Sequence, residues 1–225
     1  MNKSRTELLK KAVGEKAVEF VDDGMVLGLG TGSTVKYFIE KLAEEIRVES
    51  LDIVAIPTSV GTEKLADSLK IPLSTLDEYP VIDLDVDGAD EVDSGFNLIK
   101  GGGGAHTREK IVASASKEFI VVVDNSKIVD RVGCFPVPVE VLPFSENFVR
   151  KEIQHLGGLA RLREGFTTDN NNIIFDARFN IINPGKLECD LNNIPGVIEN
   201  GVFARRRPEK VIVAGDKGIR ILKRD

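Results

Sequence analysis

Histidine is scarce in this 225-residue chain: His106 and His155 are the whole supply, too few for a histidine-rich metal centre. Cysteine is as scarce, and Cys134 and Cys189 lie far apart at no metal-ligand spacing, so both read as reduced core or surface thiols. No apolar run approaches the ~20 residues that cross a bilayer, and a soluble protein with no membrane partner is expected. Residues 1–10 carry charge but lack the apolar stretch and small-residue cleavage site of a secretory signal, which leads to the expectation of a cytoplasmic location. Positive charge is also short. With 30 Lys and Arg against 36 Asp and Glu, the net charge of −6 argues against a broad phosphate-backbone surface and against nucleic acid as a partner. Arg205, Arg206 and Arg207 form the one conspicuous cationic run, read as a solvated loop or an oligomer contact. Nothing in the pattern demands a carboxylate metal site.

What is present is ordinary globular composition, 42% hydrophobic and 29% charged, at a length that allows one large domain or one with a small satellite. Ser4 and Glu7 suggest a capping box opening an amphipathic helix through Leu8, Leu9, Ala12, Val13, Ala17 and Val18, ended by Gly24. A buried strand at 25–30 and a helix at 35–46 follow. The pattern repeats with a strand at 51–56 and a helix around 61–69, and further strands are expected at 81–86 and 119–123. Strands alternating with helices imply an α/β fold, doubly wound on a largely parallel sheet.

After Asp130 the texture changes, with Pro136, Pro138 and Pro143 inside a strand-like run, and a domain boundary is placed there. Beyond it, a helix at 147–156, strand-like segments at 159–163 and 173–179, a helix at 184–193 and a strand at 197–203 complete a β-α-β-β-α-β order. That is the split pattern of a ferredoxin-like α+β subdomain. Residues 210–215 and 218–222 read as a hairpin returning to the first sheet. The division is therefore residues 1–130 plus 208–225 as the α/β domain, with 131–207 inserted.

Four segments carry chemistry. Gly28 to Thr34, rich in glycine and small hydroxyls between a strand and a helix, offers backbone N–H groups and a helix N-terminus to a phosphate. It has neither dinucleotide nor Walker spacing, and it reads equally as a tight turn with Thr31 or Ser33 capping the helix. Asp87 and Asp90 emerge where a strand ends, the edge at which open α/β sheets bind ligands. Two acids so placed can hold sugar hydroxyls, move a proton or bind a cation, or they can simply build Asx-turns; Glu91 and Asp93 beside them are expected to be solvated. The four glycines 101–104 suggest a backbone that must approach an anionic ligand closely. Lys100 before them and Glu109 after them, in the first turns of a helix at 105–116, can form a proton-transfer pair or an exposed acid paired with a helical lysine. His106 reads as a surface or packing residue. Lys127, after the strand at 119–123, is another cation at the carboxyl end of a strand.

In this order and spacing, residues 30–34, 87–90, 100–104, 107–110 and 124–127 closely resemble the type A ribose-5-phosphate isomerases. Pro136 to Glu140 and Asn193 to Gly196 extend the resemblance into the second domain. The resemblance implies reversible conversion of D-ribose 5-phosphate to D-ribulose 5-phosphate, in the pentose phosphate pathway and without a cofactor. It makes Glu109 the base that shuttles a proton between C2 and C1 through a cis-enediolate, with Lys100 stabilising the enediolate. Asp87 and Asp90 would bind hydroxyls and assist ring opening, flanking Gly88 and Ala89. Thr31, Gly32, Ser33 and Thr34 would hold the phosphate with Lys127, and Gly101, Gly102 and Gly103 would line the substrate. No function passes to His106, where many relatives carry a small or aliphatic residue. A homodimer or homotetramer is implied, since the family's second domain commonly mediates self-association.

Two competing readings keep the sugar phosphate. One is an aminosugar-phosphate deaminase of related fold, which would release ammonia. The other is a sugar-phosphate sensor, which should carry a DNA-binding helix-turn-helix for which the short N-terminal helix leaves no room. Lys100 and Glu109 together favour turnover over binding alone.

Overall fold

The computed structural model describes residues 3–224, with side chains from residue 5 onward, so the cap expected at Ser4 lies outside the described side chains. Helices and strands alternate at first: α1 (Lys3–Ala17), β1 (Val26–Leu29), α2 (Val35–Glu49), β2 (Val54–Pro57), α3 (Val60–Ser68) and β3 (Ile82–Asp87). The short strands β4 (Glu91–Val92) and β5 (Leu98–Ile99) precede α4 (His106–Ala115) and β6 (Ser116–Asp124). Next come β7 (Val137–Val141), α5 (Glu146–His155), β8 (Leu159–Leu162), β9 (Ile173–Arg178), α6 (Pro184–Asn192), β10 (Val197–Asn200) and β11 (Val202–Phe203). The hairpin of β12 (Lys210–Gly215) and β13 (Gly218–Lys223) ends the chain. Among the described residues no helix is long and apolar enough to cross a membrane.

The chain divides into two compact units. One comprises Met1–Gly88, Ile111–Lys127 and Pro208–Asp225, the other Ala89–Lys110 and Ile128–Arg207. Ala89–Lys110, with the glycine run, thus groups with the second unit, whereas the sequence reading kept it with the first domain.

The first unit is built on a six-stranded sheet in the order β13-β12-β6-β3-β1-β2. Only β12–β13 is antiparallel; the other neighbours run parallel. Leu27 and Leu29, Leu84 and Val86, Ile120 and Val122, and Ile212 and Ala214 recur at the two-residue spacing that puts them on one face. There they pack with Val13 and Ala17 of α1 and Phe38, Ile39 and Leu42 of α2. Ile56 and Ile82 pack on Val112 of α4 in a smaller cluster. Full burial of a Val, Leu, Ile or Phe side chain such as Leu27 or Phe38 stabilises the fold by roughly 1.5–3 kcal/mol. The chain leaves β1 for β2 on one side and then returns to β3 on the other, so strand order reverses between β1 and β3. In open α/β sheets, ligands bind outside the carboxyl ends of the strands at such a reversal.

The second unit carries an antiparallel sheet in the order β10-β7-β9-β8, the ferredoxin-like arrangement expected from its β-α-β-β-α-β order. Val137, Val139 and Val141 of β7 pack with Val149 and Ile153 of α5, Phe175 and Ala177 of β9, and Leu191 of α6. The single strand expected at 197–203 is two strands, broken at Gly201. The Gly201 amide donates to Pro138 O (2.7 Å) while its carbonyl accepts from the Lys100 amide (2.9 Å). Buried Asn200 receives the Val202 amide on its own side-chain oxygen (2.9 Å). The chain thereby leaves β7 and pairs with β5, forming the three-stranded sheet β11-β5-β4 that periodicity did not reveal.

Candidate functional site

In the first unit, β1 delivers the loop of Gly30, Thr31, Gly32, Ser33 and Thr34 to the start of α2. Thr34 occupies the N-cap position but its side chain caps nothing, and neither Thr31 nor Ser33 takes that role. No side chain caps the start of α2, although the Lys36 and Tyr37 amides already donate to Gly32 O (3.0 Å) and Thr34 O (3.2 Å); a helix N-terminus without a side-chain cap is a place that can receive an anion. Gly32 and Ser33 are exposed. Thr31 is turned to a hydroxyl cluster: its Oγ1 lies 2.8 Å from Thr58 Oγ1, 2.8 Å from Ser59 Oγ and 3.1 Å from Thr62 Oγ1. Thr58 and Thr62 in turn donate to the carbonyls of Leu29 (3.0 Å) and Gly30 (2.9 Å), bracing the start of the turn. Sequence reasoning missed Thr58, Ser59 and Thr62; the available signal was their place just past the end of the next parallel strand.

Asp87, fully buried at the end of β3, accepts from the Thr31 amide (3.1 Å) and the Gly88 amide (2.7 Å). Its backbone is so close to the loop that a Cβ on Gly30 would stand 2.6 Å from Asp87 Cα. Glycine is required at 30 by that approach. Lys127 follows β6, the neighbour of β3, in a single helical turn after Asp124, and is half-buried.

In the second unit, Lys100 and Glu109 form a buried ion pair, Nζ to Oε2 3.1 Å, with both side chains at most 5% exposed. That excludes the alternative of an exposed Glu109. The Lys100 ammonium lies 5.6 Å from the centre of the Phe203 ring, and Lys110 lies 4.8 Å from the same ring. Lys110 is fully engaged: its Nζ meets Glu199 (2.9 Å), Glu188 (3.1 Å) and the carbonyls of Asn200 (2.7 Å) and Val202 (2.8 Å). It pins the end of the first turns of α4, which carry Glu109.

The start of α4 is held by a second device. Thr107 Oγ1 donates to Glu140, a buried carboxylate of β7 that also accepts from Thr168 Oγ1 (2.8 Å), Asn172 Nδ2 (2.8 Å) and Asn170 Nδ2 (3.1 Å). Burial pushes the Glu140 carboxyl up, and the Thr107, Asn172, Asn170 and Thr168 donors more than cancel it, leaving the group below its ordinary value. Asp90, half-buried, accepts from the Gly102 amide (2.8 Å), and its own amide donates to Ile99 O (2.8 Å). Gly101 has φ +99°, and its backbone rests on the His106 ring, which would lie 2.7 Å from a Cβ there. Gly102 and Gly103 are exposed and Ala89 is half-buried.

His106 takes the packing alternative: it is fully buried, and desolvation pushes its imidazole down to about 4, against the opposing pull of the Glu140 carboxylate. The expectation of solvated acids at 91 and 93 needs correction. Glu91 is not solvated. It is 4% exposed and accepts from the amides of Gly133 and Phe135, each at 2.6 Å. Asp93, expected to be solvated, is half-buried and organises a turn through the amides of Gly95 and Asn97. The arginines at 205–207 do lie in a loop, with Arg207 donating to Gly95 O (3.0 Å). Among the described residues no group of three or more His, Cys, Asp or Glu side chains is placed to hold a metal.

The family model described as ribose 5-phosphate isomerase A (phosphoriboisomerase A) matches residues 54–218. A ribose-5-phosphate isomerase A from Methanothermobacter thermautotrophicus is 48% identical over 222 residues, spanning 96% of this chain and 97% of that protein. The solved structure of ribose 5-phosphate isomerase A from Methanocaldococcus jannaschii is similar with a TM-score of 0.94 and 48% identity, over 97% of this chain and 100% of that one. A D-ribose-5-phosphate isomerase solved in complex with phospho-erythronic acid is similar with a TM-score of 0.95 and 44% identity, over the whole of both chains.

Proposed function

The chain belongs to the ribose 5-phosphate isomerase A family, and from that premise we propose that it interconverts D-ribose 5-phosphate and D-ribulose 5-phosphate with Glu109 as the base. The observation that carries this is the buried Lys100–Glu109 pair at 3.1 Å. The Glu109 carboxylate takes the proton from C2 of the open-chain aldose, the C2–H electron pair forms the C1–C2 double bond and the C1 carbonyl pair moves onto O1, giving a cis-enediolate. The same group returns the proton to C1 as the O2 hydroxyl proton passes to O1 and C2 becomes the carbonyl, and the Lys100 ammonium stabilises the oxyanion between the two transfers. The hydrogen moves within one sugar, so no external redox partner enters.

Asp87 and Asp90 hold sugar hydroxyls and assist opening of the furanose ring, with the backbone of Gly88, Ala89, Gly101, Gly102 and Gly103 lining the substrate. The phosphate sits on Thr31, Gly32, Ser33 and Thr34, with Lys127 balancing its charge. The absence of a side-chain cap on α2 supports the phosphate role. Binding energy from that non-reacting end orients the carbon that loses its proton. The phosphorylated acid in the similar isomerase complex supports a sugar phosphate as ligand. The proposal includes a cytoplasmic location in the pentose phosphate pathway and a homodimer or homotetramer.

The test is ribulose 5-phosphate formation from ribose 5-phosphate by the wild type and by Glu109→Gln. An active wild type and a loss of at least about a hundredfold in the variant are expected, the contribution of a positioned base. An inactive wild type overturns the isomerase; a variant that keeps full activity moves the base to another residue, with Asp87 next to be substituted.

A further inference from the structure

The glycine run poses a physical problem. Four residues without side chains lose more conformational freedom on ordering than any others and bring no packing of their own to offset it. Their conformation must be imposed by neighbours. One internal bond, Gly104 N–H to Gly101 O (2.9 Å), closes a turn, and nothing stands within 4 Å of where a Cβ on Gly103 would be. Most of the remaining restraint comes from residues 163–166, just past the end of β8.

Arg163 is the centre of it. Its Nη1 donates to Gly101 O (3.3 Å) and Gly102 O (3.2 Å), and its Nη2 donates again to Gly101 O (3.3 Å). The guanidinium is itself fixed by a bidentate pair with Asp176 of β9, Nη2 to Oδ1 2.6 Å and Nε to Oδ2 3.0 Å. Phe166 lies 5.3 Å beneath the guanidinium by its ring centre and packs against Gly104. Asp176 neutralises the charge of Arg163, so the arginine is engaged as an anchor rather than offered to an anion.

The anchored peptide is the one that matters for Asp90. The carbonyl of Gly101 and the amide of Gly102 belong to the same peptide group. The carbonyl accepts from Arg163, and the amide donates to Asp90 Oδ2 at 2.8 Å. A peptide held between a cation on its oxygen and a carboxylate on its N–H is polarised in the sense that strengthens both bonds. We infer that Arg163 is a positioning residue, which sets the Gly101–Gly102 peptide so that its amide fixes the orientation of the Asp90 carboxylate. The inference rests on the reading of Asp90 as a group that handles the sugar.

The experiment combines kinetics with amide exchange. Arg163→Gln is expected to lower kcat between about tenfold and about a hundredfold, the scale of a small misplacement of a positioned group. Arg163→Lys, a point charge without the planar fork, should restore only part of that. In an Asp90→Ala background, Arg163→Gln should cost less than about threefold, because the carboxylate it positions is gone. Hydrogen exchange at the Gly102 amide, read by NMR without substrate, should quicken in Arg163→Gln. Should that variant fail to fold, Asp176→Asn, which loosens the guanidinium, is read the same way. A full-sized Arg163→Gln effect in the Asp90→Ala background, or unchanged Gly102 exchange, overturns the inference, since an arginine that only stabilises the fold would give either. An active wild type with an equally active Arg163→Gln overturns it alone; a wild type inactive on ribose 5-phosphate overturns the isomerase reading and the inference with it.

Discussion

His106 shows how much one buried side chain couples to its surroundings. The ring supports Gly101 from below, and Glu140, Lys110 and Glu199 are the charged groups that act on it. Its folded-state value of about 4 lies below the ordinary 6.5 because burial disfavours the charged form. Between those two values the unfolded chain binds a proton at this position and the folded chain does not, so stability is lost as pH falls from about 6.5 towards 4. The effect of this one group is at most about 3 kcal/mol. Urea unfolding of the wild type and of His106→Leu at pH 7 and at pH 4.5 reads it. The variant is expected to gain on the wild type at the lower pH, and an equal difference at both values would sink the idea. Glu91 makes a related point: a carboxylate read as solvated is buried because the amides of Gly133 and Phe135, far along the chain, are aimed at it.

At the scale of elements, the residues assigned to the phosphate and Asp87 follow from where a strand ends, whereas Glu109 sits on the first turns of α4. The turn after β1 and the aspartate ending β3 flank the reversal in strand order, and Asp87 closes on the turn through the Thr31 amide. That closeness makes Gly30→Ala a sensitive probe. The added methyl meets the Asp87 backbone, so the turn or the end of β3 must shift. Overpacking of this kind destabilises by about 1–3 kcal/mol. A lowered urea midpoint, together with a raised KM for ribose 5-phosphate, is expected; a variant indistinguishable from wild type in both would show that the turn yields freely. The helix α4 is held in a different way, by Lys110 at one point and by Thr107 on Glu140 at another. These anchors surround Glu109 on the same first turns without touching the glycine loop.

At the scale of the whole molecule, the second unit leaves large apolar side chains uncovered, with Phe144 94%, Ile182 80% and Leu159 72% exposed. Such side chains are what the proposed self-association would cover; exposed apolar residues scattered singly are ordinary, as Val48 and Leu8 of the first unit are. Sedimentation velocity is expected to give twice or four times the 24.6 kDa chain mass. A monomer at micromolar concentration would remove the homodimer and homotetramer together.

By itself the sequence determined the alternation of strands and helices, the ferredoxin-like order of the second unit and the motifs at strand ends. Each element or motif is written among near neighbours in the chain: the two-residue spacing of Leu84 and Val86, for example, or the glycines between Lys100 and Glu109. Only the tertiary structure decided the break at Gly201, the burial of Glu91 and His106, the hydroxyl brace of Thr58, Ser59 and Thr62, and the hold of Arg163 on the glycine loop. The physical reason is one of range. Periodicity and turn chemistry act between near neighbours in the chain, whereas a hydrogen bond from Arg163 to Gly101 or from Thr107 to Glu140 exists only once distant segments are packed side by side.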